Sequence, residues 1–331
     1  MNQANRIIVG LGTTGLSCAR YLHSLGESFQ VVDSRLNPPG LEELRAEFPE
    51  VKVTLGEFPL NLMLEASELI VSPGVSIQTP AIAAAHAAGV SISGDIDIFS
   101  KAVRKPVVAV TGSNGKSTVV TLLAAMARKA GLRVGLGGNL DGAQAAPALD
   151  LLRQEQKDLY VLELSSFQLE TTQCLAARAA VILNISDDHM DRYADKHAYE
   201  AAKQRIFIGA NCAIVNRDEL SSTPWSPSCE VFTSFGTTKP NSGEWGVVDL
   251  DGEAMLAFGE ETILEVQALK IAGKHNISNA LAALALGRSI GIPQQEMVEA
   301  LLEFPGLPHR CQWLRNLHGV DFYNDSKGTN I

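Results

Sequence analysis

A glycine-containing loop between a predicted strand and a predicted helix carries the residues best suited to chemistry. The stretch reads Lys105-Pro-Val-Val-Ala-Val-Thr-Gly-Ser-Asn-Gly-Lys-Ser-Thr118, with a short apolar run before the loop and apolar residues at helical spacing after it. Gly112 and Gly115 free the backbone, so that successive N–H groups can surround phosphate oxygens at the positive end of the helix. Lys116 adds a mobile positive charge for terminal phosphates, and the hydroxyl of Ser117 or of the next threonine suits Mg²⁺. The loop predicts nucleotide binding.

This loop departs from the general phosphate-loop pattern. The pattern G-x-x-x-x-G-K-[ST] would need glycine at Val110, and the sequence has the shorter G-x-x-G-K-S-T. The alternative is a glycine turn that precedes a helix with lysine in its first turn. A cation at that end of a helix is unfavourable unless an anion lies beside it, which favours the phosphate site.

Composition limits the classes of protein that fit. The length of 331 residues predicts two domains or two and a part, and 46% hydrophobic residues is ordinary for an α/β protein. The formal charge of −10 argues against binding to nucleic acid or to an anionic membrane surface. Five scattered cysteines without C-x-x-C spacing predict reduced thiols, and neither a membrane-spanning run nor a signal peptide is apparent. We expect a cytoplasmic protein with no membrane or nucleic-acid partner.

A second glycine loop lies near the amino terminus. A predicted strand runs into Gly10-Leu-Gly-Thr-Thr-Gly15, a helical pattern follows, and the next predicted strand ends at Asp33. This is the G-x-G-x-x-G context of a Rossmann-type unit. Three interpretations remain open: a nicotinamide or flavin site, a site for another nucleotide diphosphate, and a tight turn without ligand. The second nucleotide loop downstream favours the diphosphate of a substrate.

Further polar residues follow predicted buried strands. Glu163 ends the apolar run 158–163 and is a candidate Mg²⁺ ligand, with an acid entering a loop as the alternative. Aspartates and His189 follow the run 179–185 and suit metal or phosphate binding, with a surface or capping histidine as the alternative. Lys203 lies in a predicted helix, where the spacing alone also allows a solvated lysine. Residues 230–271 alternate in the manner of a small set of antiparallel strands, for which we expect no chemistry. Asn276 precedes a strongly helical run, and the structural alternative to a binding role is that it caps this helix.

The combined motifs are specific enough to indicate a family. The sequence resembles the Mur ligase family of peptidoglycan synthesis over all 331 residues. The motifs that carry the resemblance are Thr111-Gly-Ser-Asn-Gly-Lys-Ser-Thr118, Leu162-Glu-Leu-Ser-Ser-Phe-Gln-Leu169, Asp188-His-Met-Asp-Arg-Tyr193, His275-Asn-Ile-Ser-Asn-Ala-Leu-Ala-Ala283, Leu307-Pro-His-Arg310 and Asn324-Asp-Ser-Lys327.

The resemblance implies a fold and a reaction. It implies a Rossmann-like parallel-sheet domain at 1–101, a P-loop-type ATPase α/β domain with a small antiparallel appendage at 102–304, and the start of a C-terminal Rossmann-like domain at 305–331. The implied enzyme is a monomeric ATP-dependent amide ligase that adds D-glutamate to UDP-N-acetylmuramoyl-L-alanine with Mg²⁺, through an acyl phosphate. Because family members continue into a third domain that supplies most of the D-glutamate site, we expect substrate binding without full turnover.

The resemblance also assigns roles to residues of this sequence. The implied catalytic residues are Lys116, Lys203, His189 and Lys327. The implied ATP-binding residues are Gly112, Ser113, Asn114, Gly115, Lys116, Ser117, Thr118, Asn276, Asn279, Arg310 and Asp325. The implied UDP-substrate residues are Thr13, Thr14, Asp33, Ser34, Arg35, Gly74, Asn139 and Ser165. The implied metal ligands are Ser117, Glu163, His189 and a carbamylated Lys203.

Two other classes of function remain as alternatives. An NAD-dependent oxidoreductase would use the first glycine loop but leaves the lysine-bearing loop unexplained. A non-catalytic nucleotide-binding fragment would keep substrate affinity without releasing phosphate.

Overall fold

The computed structural model describes residues 5–140, 142, 145–186, 188, 191–225 and 231–327. The first part of the chain forms a five-stranded parallel sheet in the order β3-β2-β1-β4-β5. Its strands are β1 Arg6–Val9, β2 Phe29–Asp33, β3 Val53–Leu55, β4 Glu68–Val71 and β5 Ser91–Ser93. Its helices are α1 Thr13–Ser24, α2 Leu41–Glu47, α3 Leu60–Leu64, α4 Pro80–Ala87 and α5 Asp95–Ala102.

Helices cover both faces of this first sheet. Ile8 of β1 packs in a cluster with residues of α1, α2 and α5, whereas its neighbours Ile7 and Val9 pack with residues of α3 and α4. Successive side chains of a strand point to opposite faces, so both faces of β1 are buried. The expected Rossmann-like domain is confirmed.

The second part of the chain forms a nine-stranded mixed sheet in the order β14-β13-β12-β11-β10-β9-β6-β8-β7. Its strands are β6 Val107–Thr111, β7 Val134–Gly138, β8 Leu159–Glu163, β9 Ala179–Ile182, β10 Cys212–Asn216, β11 Val231–Phe235, β12 Trp245–Leu250, β13 Glu253–Phe258 and β14 Glu261–Glu265. The accompanying helices are α6 Lys116–Lys129, α7 Ala148–Arg153, α8 Ser166–Thr171, α9 Lys196–Gln204, α10 Lys274–Ser289 and α11 Gln294–Glu303. A two-stranded antiparallel sheet, β15 Gln312–Leu317 and β16 Val320–Asn324, follows.

Three expectations about local structure were wrong in detail. β11 pairs in parallel with β10, so the antiparallel appendage comprises only β12 to β14. The alternating stretch expected to continue to Ile271 leaves the sheet after Glu265 and makes a 3₁₀ turn. Asn276 is not an N-cap, because α10 begins at Lys274 after Gly273, whose φ is +97°. The amide of Asn276 donates instead to the carbonyl of Ala272 at 2.8 Å.

The two sheets share a continuous apolar cluster. Buried residues of α1 and α5 belong to the same cluster as residues of α7, α8 and β8. The rings of Phe99 and Tyr160, one from each part of the chain, lie 5.4 Å apart in an edge-to-face arrangement. The glycine loops of both sheets are therefore held on one packed body. No helix in the described ranges has the length and apolar composition to cross a membrane.

Candidate nucleotide and substrate site

The phosphate loop joins the carboxyl end of β6 to the amino end of α6. Both of its glycines have positive φ, +155° at Gly112 and +84° at Gly115. A Cβ atom on Gly115 would lie 2.3 Å from Oδ1 of Asn279, a residue of α10. Only glycine accommodates both the left-handed backbone and this close approach. The loop thus opens at the positive end of α6, which is the position that suits a phosphate group.

The ammonium of Lys116 lies inside this loop. Its Nζ donates to the backbone carbonyls of Gly112 and Ser113, each at 2.9 Å. Burial lowers the pKa of Lys116, and the opposing carboxylate of Glu163 limits that fall. An anion placed in the loop would stabilise the charged form of the lysine further.

A carboxylate and a hydroxyl meet beside the loop. The Ser117 hydroxyl donates to Glu163 Oε2 at 2.8 Å, and the Arg310 guanidinium donates to the same hydroxyl at 3.2 Å. Glu163 is only 3% exposed, and burial raises its pKa above the ordinary value, although the Lys116 charge opposes the rise. A buried carboxylate in this state gains from a cation nearby.

The donor set beside the loop fits Mg²⁺ in the way proteins usually hold it. Mg²⁺ is commonly bound through one or two protein oxygens together with substrate phosphates and waters. Glu163 and Ser117 offer such oxygens next to the phosphate loop. Within the described ranges no group of three or more His, Cys, Asp or Glu side chains forms a metal cage. His189, a predicted ligand, lies outside the described residues.

A cavity of about 390 Å³ opens where the phosphate loop meets α10 and the segment before β15. Seven residues assigned to ATP on the sequence line it, namely Asn114, Gly115, Thr118, Asn276, Asn279, Arg310 and Asp325. The wall also contains residues that were not singled out, namely Asn184, His275, Ser278 and Cys311. The Asn184 side chain accepts from Asn114 N at 2.8 Å and donates to Asn114 O at 3.1 Å, fixing the middle of the loop. The fold therefore brings together segments that are far apart in the sequence.

Lys203 is buried against the back of the phosphate loop. It is 2% exposed, and its Nζ donates to Gly112 O at 3.0 Å and lies 4.6 Å from the ring centroid of Tyr199. Burial, assisted by the nearby charge of Lys116, lowers the pKa of Lys203 well below its ordinary value. The solvated-lysine interpretation is therefore wrong. Tyr199, whose hydroxyl lies 3.1 Å from Ser113 Oγ, was missed because it carries no motif.

The amino-terminal glycine loop is fixed by an aspartate. A Cβ on Gly15 would lie 2.0 Å from the Gly10 carbonyl oxygen, so the first turn of α1 needs glycine there. Asp33 accepts from Leu11 N at 2.7 Å and makes a bidentate pair with Arg35. Burial acts to raise the pKa of Asp33, but these hydrogen bonds prevail and hold it below its ordinary value. The Arg35 side chain is 52% exposed at the carboxyl edge of the sheet.

Arg192 joins the two sheets at the substrate loops. Its guanidinium donates to the carbonyls of Pro73 and Val75 at 2.7 and 3.3 Å and to Glu170 at 2.9 Å. The same group lies 4.0 Å from the ring centroid of Phe167. The loop that contains Gly74 is therefore tied to the second sheet by one side chain. In the sequence, Arg192 is part of a family motif, and we predicted no role for it.

The remaining residues that the sequence predicted for the site lie around the two glycine loops and at the end of the chain. Thr13 and Thr14 begin α1, Ser34 follows β2, and Asn139 lies after β7 with its amide 3.4 Å from Glu163. Ser165 caps α8 in a capping box with Gln168, whose amide donates to buried Asp95 at 3.0 Å. Lys327 is exposed and is not among the residues that line the α10 cavity.

Comparison with known proteins identifies the family. Residues 4–94 match the N-terminal domain of MurD-like Mur ligases, and residues 110–287 match the Mur ligase middle domain. The chain is 54% identical to UDP-N-acetylmuramoylalanine–D-glutamate ligase of Marinobacter nauticus, over 98% of this chain and 72% of that protein. It is 50% identical to the protein of the same name from Nitrosococcus oceani, over 99% of this chain and 72% of that protein.

Solved structures agree at the level of the fold. The UDP-N-acetylmuramate–alanine ligase MurC of Thermotoga maritima superposes with a TM-score of 0.55 at 20% identity, covering 96% of this chain and 73% of that one. The UDP-N-acetylmuramate:L-alanyl-gamma-D-glutamyl-meso-diaminopimelate ligase of Neisseria meningitides superposes with a TM-score of 0.60 at 22% identity. The superposition covers 91% of this chain and 98% of that one. From its matched domains and its relatives, the chain belongs to the Mur ligase family.

Proposed function

We propose that this chain carries the nucleotide and substrate sites of an ATP-dependent amide ligase that adds D-glutamate to UDP-N-acetylmuramoyl-L-alanine. The relatives that share half of its residues carry this activity in their name. The observation that supports it best is the meeting of Lys116, the Ser117–Glu163 pair and Arg310 at one phosphate loop. We further propose a monomeric enzyme of the cytoplasm that uses ATP and Mg²⁺.

The reaction requires the groups found at the loop. A carboxylate resists attack by an amine because oxide would have to leave. Transfer of the γ-phosphoryl group of ATP to the alanyl carboxylate replaces that leaving group with phosphate, and the D-glutamate amine then displaces it. Two anions must approach for the first transfer, so positive charge has to be fixed in advance.

Residues of this chain supply that charge and positioning in the proposal. Lys116 and the N–H groups of the loop hold the ATP phosphates, and Arg310 adds a second cation beside Ser117. Glu163 and Ser117 hold Mg²⁺, which offsets phosphate charge when bound. Asn276, Asn279 and the adjoining cavity wall hold the rest of the nucleotide.

Lys203 has the state needed for carbamylation. An amine attacks CO₂ only when it is neutral, and burial beside another lysine favours the neutral form. Attack of the neutral amine on CO₂ forms an N–C bond and releases a proton, and the resulting carbamate is an anion next to Gly112 that attracts the charge of Lys116. We propose that this carbamate and His189 would hold a second Mg²⁺ besides the one at Ser117 and Glu163, and that Lys327 acts at the reacting groups.

The amino-terminal loop suits uridine diphosphate better than NAD. In a dinucleotide site the aspartate after the second strand accepts from a ribose hydroxyl. Here both oxygens of Asp33 are already engaged by Leu11 N–H and Arg35. We propose that the exposed Arg35, Ser34 and the first turn of α1 bind the UDP group, with Gly74 beside them. Asn139 and Ser165 then face the muramoyl-alanine end.

The proposal is tested by ATP binding in two matched variants of one helix. Lys116→Met removes the cation from the loop, whereas Lys129→Met removes a lysine from the far end of α6. We expect the first change to weaken the calorimetric affinity for Mg·ATP at least tenfold, as for loss of a charge-assisted contact, and the second to leave it unchanged. Equal affinity in both variants would contradict the assignment of the loop.

A further inference from the structure

Helix α8 is held at both ends by side chains from other elements. At its start, Ser165 and Gln168 form the capping box, and the Gln168 amide donates to Asp95 of α5, in the first part of the chain. At its end, the Arg205 guanidinium donates to two backbone carbonyls, at 2.8 and 2.6 Å. A helix of six residues is unstable in isolation, so these contacts fix where its side chains lie.

Two side chains of α8 hold Arg192 between them. Phe167 and Glu170 are three positions apart, so they lie on the same face of the helix. The Arg192 guanidinium lies 4.0 Å from the Phe167 ring centroid and donates to Glu170 at 2.9 Å. The side chains of Arg192 and Glu170 are only 14% and 12% exposed. An ion pair this far from solvent is costly to break, because either partner would be left as an unpaired charge.

The same guanidinium holds the loop that follows β4. It donates to the carbonyls of Pro73 and Val75, and the Ser72 hydroxyl at the start of this loop donates to the Gly10 carbonyl at 2.8 Å. A Cβ atom on Gly10 would lie 3.0 Å from Val75 Cγ2, so the loop also packs against the first glycine loop. The position of Arg192 therefore sets the separation between the first glycine loop and α8.

We propose that Glu170 is a positioning residue that sets, through Arg192, the separation between the two ends of the substrate site. This inference rests on the proposed function, in which UDP binds at the first glycine loop and the muramoyl-alanine end faces Ser165, the N-cap of α8. UDP alone contacts only the first of these regions, which Ser72 holds without Arg192. The complete ligand must reach both regions at once, and the affinity gained from the second contact is lost when the separation does not match the ligand. Glu170 therefore acts on the affinity for the complete ligand and not on the affinity for UDP.

The test compares the calorimetric affinities for UDP and for UDP-N-acetylmuramoyl-L-alanine in Glu170→Gln. The complete ligand should bind about fivefold more weakly than to the wild type, because the variant loses a charge-assisted hydrogen bond, whereas UDP should bind within about twofold of the wild type. Glu68→Gln is the matched control. Glu68 also pairs with an arginine, Arg6 at 3.0 Å, its side chain is 20% exposed, and it lies at the opposite end of β4 from the loop. This control should leave both affinities unchanged, and Mg·ATP should bind all three chains equally if they are folded.

A double variant tests whether Glu170 acts through the arginine. Arg192→Met alone should weaken binding of the complete ligand, and Glu170→Gln added to it should cause no further loss. The inference alone is overturned if Glu170→Gln weakens UDP and the complete ligand equally, if it weakens neither, or if the losses in the double variant are additive. A wild-type chain that binds neither UDP nor the complete ligand would instead overturn the proposed function, and this inference with it.

Discussion

The buried carboxyl group of Asp95 should make the free energy of unfolding depend on pH. Asp95 begins α5, is 3% exposed and accepts from the Gln168 amide, which links it to the Ser165 cap. Its other carboxylate oxygen makes no well-formed hydrogen bond to the described residues, although the backbone N–H groups of Asp95 and Ile96 lie near the carboxylate. Burial raises the pKa of Asp95 from 3.8 to about 6, against the hydrogen bonds that oppose the rise. We therefore predict that Asp95→Asn removes a pH-dependent loss of stability.

The sign and the size of this pH dependence follow from the difference in proton binding between the folded and the unfolded chain. Because the folded pKa is raised, the folded chain binds the proton more tightly than the unfolded chain, so stability falls as pH rises through the window from 3.8 to about 6. The full difference corresponds to about 3 kcal/mol, of which about 1.4 kcal/mol lies between about pH 5 and pH 8. Any hydrogen bond that asparagine makes or loses changes stability by a constant and leaves this pH-dependent part intact.

The assay is urea unfolding of the wild type and of Asp95→Asn at a series of pH values across that range. The free-energy difference between them should move in favour of the variant by about 1.4 kcal/mol as pH rises. Asp251→Asn is the control, because this exposed residue has a φ of +55°, which asparagine tolerates. If the difference in the free energy of unfolding between the wild type and Asp95→Asn is the same at every pH, the assigned role of Asp95 is wrong.

Three further predictions concern the loops. In CO₂-free buffer, where Lys203 stays an unmodified amine, burial lowers its pKa, so wild-type stability should rise with pH toward the ordinary value of 10.5, and urea unfolding of Lys203→Met should lack this rise. Gly115→Ala should weaken the calorimetric affinity for ADP more than tenfold, since the added Cβ meets Asn279. Gly131 has a similar φ of +82° but open space around it, so Gly131→Ala should leave the affinity for ADP unchanged. Arg192→Met should weaken UDP-ligand binding several-fold by freeing the loop at Gly74, with Mg·ATP binding as the unchanged control.

The parts of the site that the sequence predicted are those set by local spacing. The phosphate loop and the buried strand that ends in Glu163 needed only neighbouring residues, and the structure has both. Arg192 was missed because the carbonyls of Pro73 and Val75, to which it donates, lie more than a hundred positions earlier in the chain. Asn184 was missed for a similar reason, since its partner Asn114 is 70 residues away.

The errors in the fold have physical causes as well. The alternation of residues after 231 predicts strands but carries no information on their direction, and β11 joined the parallel part of the sheet. The start of α10 was placed at an asparagine because such residues cap helices well. Gly273, with its positive φ, instead ended the preceding segment and let the helix begin earlier.

The most direct test of the central claim is a calorimetric titration of the chain with UDP-N-acetylmuramoyl-L-alanine, with NADH as the control ligand. We predict saturable binding of the UDP ligand that weakens in Arg35→Gln, and no binding of NADH. Saturable binding of NADH together with no heat from the UDP ligand would contradict the assignment of the amino-terminal domain.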